Sequence, residues 1–221
     1  MNNSLKCQEL FAFEPVFFEK LFESFEHPWD ILPSLGALIS SVVEVGLDGY
    51  ERISDSVLIG KNVRIADDAR IEGTAIIGSG CEIRHGAFLR GSVILGDGCV
   101  IGNSCEVKNS IMMDGAQAPH FNYVGDSILG KRAHLGAGAI CSNLRSDGKC
   151  VSIHTEDGAI NTRLRKLGAI LGDYAEIGCN TVLCPGTVIG KRTTVYPLTL
   201  ARGTYPRDSI VKDTISVVPR L

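Results

Sequence analysis

The sequence predicts an all-β fold, a parallel β-helix built on a six-residue repeat, with a small N-terminal α-helical cap and one inserted β-hairpin. Three observations lead there. From Ile53, every sixth residue is aliphatic or Met through eleven positions: Ile53, Ile59, Ile65, Ile71, Ile77, Ile83, Leu89, Leu95, Ile101, Val107 and Met113. Four residues after each of the first ten stands a small or medium apolar residue, from Val57 and Val63 to Cys105 and Ile111. Glycine, 25 of 221 residues, favours the same frame: nine fall at the second position of a hexad and five at the fourth. A period of six fits neither a helix nor a simple alternating strand. It fits short strands that turn a corner every six residues, three to a triangular coil of about 18 residues, with coils stacked as parallel sheets about 4.8 Å apart. The large aliphatic points inward, the small residue shares the interior near the corner, and glycine permits the tight turn.

Residues 1–48 lack the repeat and form the helical cap. Phe17, Phe18, Leu21, Phe22 and Phe25 follow helical spacing, and Pro15 suits a first helical turn. His27, Pro28 and Trp29 break that helix, and a second stretch runs from near Pro33 to Val45. These helices are expected to close the first coil, hiding its open edge and apolar end. Residues 49–221 form the β-helix. The repeat breaks at Asp114–Phe121, read as a loop, and resumes at Tyr123, Leu129, Leu135 and Cys141. A longer insertion spans 142–168, with a hairpin around Asp157-Gly158 followed by the basic cluster Arg163, Arg165 and Lys166. The pattern returns at Leu171, Ile177, Leu183, Ile189 and Val195.

Composition removes several classes. Net charge is −3, with 22 Lys+Arg against 25 Asp+Glu, which argues against a dedicated nucleic-acid binder. The most apolar stretch, Ile31 to Leu47, contains Pro33 and Glu44, so no membrane span is expected. No basic region followed by an apolar run opens the chain, and the eight Cys lack a paired CxxC spacing. A cytoplasmic protein with reduced thiols is expected. Cys81, Cys99 and Cys105 occupy the small interior position and Cys141 the large one, as core hydrophobes.

Arg90 and Lys108 break the rule of a small second residue, and they lie 18 residues, one coil, apart. They should stack in one column a rung apart, where two cations repel unless an anion lies between them. A bound phosphate is one solution. A salt bridge is the other, with Glu72 one coil below Arg90. His120, twelve residues past Lys108, sits in APHFNYVGD as either a general base or an ordinary loop residue. The five His and scattered Cys show no tight ligand spacing, so no metal is expected.

The stretch APHFNYVGDSILGKRAHLGAGAICSN, followed by DGK, resembles the acetyltransferase domain of the bifunctional N-acetylglucosamine-1-phosphate uridyltransferase/glucosamine-1-phosphate acetyltransferases, within the hexapeptide-repeat, left-handed β-helix transferases. The likeness covers 53–149 well and 168–205 more loosely, and it supplies the handedness. It implies His120 as general base, with Arg90, Lys108, Tyr123, Asn143 and Lys149 on a sugar phosphate. It also implies Ala137, Asn143 and Cys179 along the acetyl-CoA path. It implies a homotrimer that acetylates the amine of an amino-sugar phosphate such as glucosamine 1-phosphate. Several features depart from the pattern: His134 replaces an Asn, Leu144 replaces an aromatic, 150–167 has no counterpart, and Cys179 and Pro197 stand where the family has small residues along the coenzyme path. They keep open a second reading, a sugar-phosphate or sugar-nucleotide binding module that partners a separate nucleotidyltransferase. A carbonic anhydrase of the γ class, on the same fold, is a weaker third. No Gly-rich nucleotide loop or βαβ run appears, so uridylyl transfer by this chain alone is not expected.

Overall fold

In the computed structural model, which describes residues 5–13, 16–213 and 216–219, the hexads form a left-handed parallel β-helix of about nine turns. The coils present three faces. The first stacks Arg64–Ile65, Glu82–Ile83, Val100–Asn103, Gln117–His120, His134–Leu135, Glu176–Ile177, Thr194–Val195 and Ser209–Val211. The second carries Tyr123–Gly125, Ile140–Cys141, Val182–Leu183 and Leu200–Ala201, and the third carries Val57–Ile59, Ile128–Leu129, Ala169–Leu171, Thr187–Ile189 and Thr204–Tyr205. Three long strands, Arg70–Ile77, Phe88–Leu95 and Glu106–Met112, run round the corner from the second face to the third. Antiparallel strands finish both ends of the stack: Glu51–Ser54 pairs with Val57–Ile59, and Val217–Pro219 with Ser209–Val211.

The interior holds the expected residues from Ile77 to Val107, with Cys81, Cys99, Cys105 and Cys141 buried among them as free thiols. Several positions differ from the sequence reading, among them Ile111, which faces outward while buried Ser110 takes the small interior place. Ile53 lies in the antiparallel end strand and is exposed, so the inward series starts at Ile59. Met112, not Met113, follows Val107 inward, because Lys108 and Ser110 are joined by the single residue Asn109 where the coil below uses Gly91-Ser92. Val124, not Tyr123, faces in, and a second five-residue step leads on to Leu129. Between these slips Gln117–His120 is a regular strand of the first face, so the expected loop at Asp114–Phe121 is an ordinary turn of the coil. The corner residues Asn109 and Asp126 both have φ of 47°, a conformation that Asn and Asp tolerate better than most residues.

Helices α1 (Cys7–Leu10), α2 (Val16–Phe22) and α3 (Leu35–Val45), with a 3₁₀ turn at Pro28–Ser34, make up the N-terminal segment. Pro15 lies outside the described residues. The segment lies along the third face rather than over the first coil. The reason is an outward ladder of aliphatic residues on that face: Leu58, Ile76, Ile94, Ile111, Ile128, Ile170 and Val188 stack rung on rung. They share one core with Leu10, Phe11, Phe18, Phe22, Trp29, Leu35 and Ile39. Leaving so long an apolar stripe in water would cost roughly 1.5–3 kcal/mol per residue. The insertion leaves the second face after Cys141 and returns to the third at Ala169. Its hairpin, Ser152–Thr155 with Gly158–Asn161, turns at Glu156-Asp157, and Val151, Ile153 and Leu167 join the same outer core.

Candidate functional site

The second face carries two outward columns. Phe88, Glu106, Tyr123, Ile140, Val182 and Leu200 stack beside the corner shared with the first face. Glu72, Arg90, Lys108 and Gly125 stack beside the corner shared with the third. Arg90 and Lys108 are therefore adjacent rungs of one column, as the 18-residue spacing requires. Each also meets a carboxylate, though not Glu72, which pairs with Arg70. Arg90 Nε donates to Glu106 Oε1 at 2.7 Å, and its terminal nitrogens meet no carboxylate among the described residues. Lys108 Nζ donates to Asp126 Oδ2 at 2.9 Å.

Asp126 organises the site. It also accepts Asn109 Nδ2 at 2.9 Å and Asn143 Nδ2 at 2.5 Å. Asn143 Nδ2 lies 3.1 Å from the Tyr123 hydroxyl. Lys108, Tyr123 and Asn143 are thus brought together through a carboxylate that the sequence reading did not select. Partial burial pushes the Tyr123 phenol above its ordinary value, so it stays protonated. Gly125 makes room for this: a Cβ there would lie 2.6 Å from both the Tyr123 hydroxyl and Asn143 Nδ2.

His120 stands across the corner from Tyr123, exposed, with no side-chain hydrogen bond among the described residues. Buried Asn122 pins that corner: its Oδ1 accepts the His120 N–H at 3.0 Å, and its Nδ2 donates to the Gly136 and Ala139 carbonyls. Ala137 and exposed Cys179 follow on successive rungs above, through Gly138 N–H to His120 O and Asn180 N–H to Ala137 O. The Gly138 and Ala139 N–H groups are engaged, whereas that of Ala137 donates to nothing among the described residues. Phe121 and Leu198, on this corner, are 62% and 79% exposed and hold φ of 53° and 61°. Among the described residues no group of three His, Cys, Asp or Glu side chains is placed to hold a metal ion.

The family described as "GMPPB C-terminal domain" matches residues 71–165. The bifunctional protein GlmU of Methanococcus maripaludis (strain C7) is 43% identical over 202 residues, which cover 88% of this chain and 48% of that protein. In sequence the chain is thus similar to GlmU-type bifunctional nucleotidyltransferase/acetyltransferases. A bifunctional sugar-1-phosphate nucleotidylyltransferase/acetyltransferase of Sulfurisphaera tokodaii is 39% identical over 88 residues, 40% of this chain and 22% of that one. The chain thus spans about half or less of the length of these relatives. A solved N-acyltransferase from Bacillus cereus, AntD in complex with dTDP and coenzyme A, is 17% identical with a TM-score of 0.46, covering 78% of this chain and 90% of that one.

Of the departures from the resembled pattern, His134 lies away from the Asp126 network, whereas Leu144 and the root of the insertion adjoin it: Leu167 N–H donates to Asn143 O and Gly168 N–H to Asp126 O. His134 is on the first face, its Nδ1 3.0 Å from Glu176 Oε2. Leu144 is half-exposed and bridges to Lys166 at the root of the insertion. Lys149 is exposed on the insertion, its backbone N–H on Asp147 Oδ1 at 3.2 Å.

Proposed function

We propose that this chain transfers an acetyl group from acetyl-CoA to the amine of an amino-sugar phosphate on its second face. The observation that carries this reading is the Lys108–Asp126–Asn143–Tyr123 network beside Arg90, with an unengaged His120 on the adjoining corner. The terminal nitrogens of Arg90 and the remaining Lys108 hydrogens take the phosphate by charge-assisted hydrogen bonds. Tyr123 and Asn143 orient the sugar. His120 accepts the amine proton as nitrogen attacks the thioester carbonyl, and the tetrahedral adduct collapses with loss of the CoA thiolate, which is then protonated. The free Ala137 N–H, one rung above His120, is the donor available to the oxyanion.

The working unit we propose is a homotrimer. Phe121 with Ile140, and Leu198 with Leu200 some rungs above, are exposed on and next to the corner that bears His120, two apolar spots suited to a second copy. No helix among the described residues is long and apolar enough to cross a membrane.

CoA release in the presence of glucosamine 1-phosphate tests the reaction. His120→Ala should keep the fold and lower kcat about 10²–10⁴-fold. Wild-type protein that neither releases CoA with any amino-sugar phosphate nor binds acetyl-CoA would overturn the reading. One observation favours a binding module instead: among the described residues the His120 side chain has no partner to orient it, whereas bases in many active sites have one. Calorimetric titration separates the two, since a ternary complex with acetyl-CoA belongs to the enzyme alone.

A further inference from the structure

Each corner between the first and second faces is a four-residue turn. At 66–69, 84–87, 136–139 and 178–181 the fourth residue's N–H donates to the first residue's carbonyl, at 3.0, 3.1, 3.1 and 3.3 Å. The corner 119–122, which bears His120, is held differently. The Asn122 N–H donates to Cys105 Sγ on the rung below, at 3.2 Å, and the Asn122 side chain ties the turn. Its Oδ1 accepts the His120 N–H at 3.0 Å and the Cys105 thiol at 3.6 Å. Its Nδ2 donates to Gly136 O at 2.8 Å and Ala139 O at 3.1 Å, the first and last residues of the corner above. The amide has two acceptor sites and two donor hydrogens, and all are engaged.

The coils do not need an amide at this place. Asn122 is 3% exposed, in an interior column that reads Ala87, Cys105, Asn122, Ala139 and Thr181 up the stack. Alanine closes the same corner one rung above. Burying an amide carries a desolvation cost that its hydrogen bonds offset, so Ala would serve packing here as well. What sets this rung apart is His120. Its ring is exposed and has no hydrogen-bond partner among the described residues, so its aim depends on the backbone that carries it. Asn122 holds that backbone at the His120 N–H, and the same amide fastens the corner of Ala137, whose N–H is the donor proposed for the oxyanion.

We propose that Asn122 is a positioning residue for acetyl transfer: it keeps the base and the oxyanion donor, on adjoining rungs, at the separation the reaction needs. This rests on the reaction proposed above.

Steady-state CoA release by Asn122→Ala, with calorimetric titration of acetyl-CoA beside it, tests the role. The variant should lose about 10–100-fold in kcat, while KM for glucosamine 1-phosphate and the affinity and stoichiometry of acetyl-CoA stay within about twofold of wild type. Unchanged stoichiometry shows that the loss is not a loss of folded protein. As a control, Thr193→Ala removes a buried hydroxyl that donates to Pro206 O at 2.6 Å, at the corner between the third and first faces. It should lower the melting temperature and leave kcat unchanged. Where Asn122→Ala does not fold, Asn122→Thr carries the same expectation: the column already holds Thr181, and a hydroxyl cannot replace both donors of the amide. Wild-type kcat in a folded variant, a loss shared by Thr193→Ala, or a loss confined to KM would overturn the role of Asn122 and leave the reaction standing. Wild-type protein that releases no CoA with any amino-sugar phosphate removes the reaction, and the role with it.

Discussion

The Asp126 carboxylate accepts three hydrogen bonds in a place where its side chain is 6% exposed and that of its partner Lys108 is 16% exposed. Removing it leaves an ammonium largely out of water with no counter-charge. Asp126→Ala should cost about 3–5 kcal/mol in urea unfolding, and Lys108→Met placed on top should recover part of that loss. Spacing revealed Arg90 and Lys108 because column neighbours in a regular coil are 18 apart. It hid Asp126, whose corner falls where the coil drops a residue, so hexad counting puts it out of phase. Asn122 lies past the residue dropped at Asn109, so hexad counting hid it too; only in the observed register, four residues after Ala118, does it stand in the small interior position. The thiols make a second residue-scale prediction. Burial pushes Cys141 up to about 12 and also raises Cys99, while unfolded cysteine titrates near ~8.5. The folded form therefore binds more protons above pH 8.5, so stability should fall as pH rises from there towards 12. In the native state a disulfide reagent should label exposed Cys179 first and reach Cys81, Cys99, Cys105 and Cys141 only on unfolding. Fast labelling of an interior thiol would contradict the packing.

At the scale of elements, the helical segment was legible in kind but not in place. The ladder it covers is written in the sequence as aliphatic doublets, Leu58-Ile59, Ile76-Ile77, Ile94-Leu95, Ile111-Met112, Ile128-Leu129, Ile170-Leu171 and Val188-Ile189. One member of each doublet faces in and the other out, so one face is apolar on both sides and needs cover. Counting only inward positions conceals this. The hairpin was legible from its turn residues, but the layer it joins depends on Val151, Ile153 and Leu167, which carry no periodic signal. Buried Asp173 ties the segment down: its Oδ2 accepts the Ala12 N–H at 2.6 Å, its Oδ1 the Lys131 N–H at 2.8 Å, and its own N–H donates to Leu10 O. Asp173→Ala leaves those two amides without their acceptor and should cost about 1–3 kcal/mol. Limited proteolysis should then cut within residues 5–13 before the coils are touched. Cleavage at the wild-type rate would show that apolar contact alone holds the segment.

For the whole molecule, the outcome is an asymmetric prism. The third face is sealed by helices and hairpin, while the first and second stay open and share the corner of His120 and Phe121. In the homotrimer proposed above, copies would meet through those two faces, with the proposed site at the contact. The sealing segment has a mechanical consequence as well. A stack of coils, each touching only its neighbours, behaves as a one-dimensional chain that can fray from either end and melt piecemeal. Here one continuous stretch of polypeptide reaches from the Ser92 rung, where Gly36 of α3 rests, to the Asp173 rung, where Leu10 and Ala12 are bound. It works as a splint across the grain of the coils: no rung beneath it can open without breaking contacts to the same strip. Near-neighbour cooperativity should thereby become long-range cooperativity, and calorimetry should record one melting transition where an unsplinted solenoid would unravel stepwise.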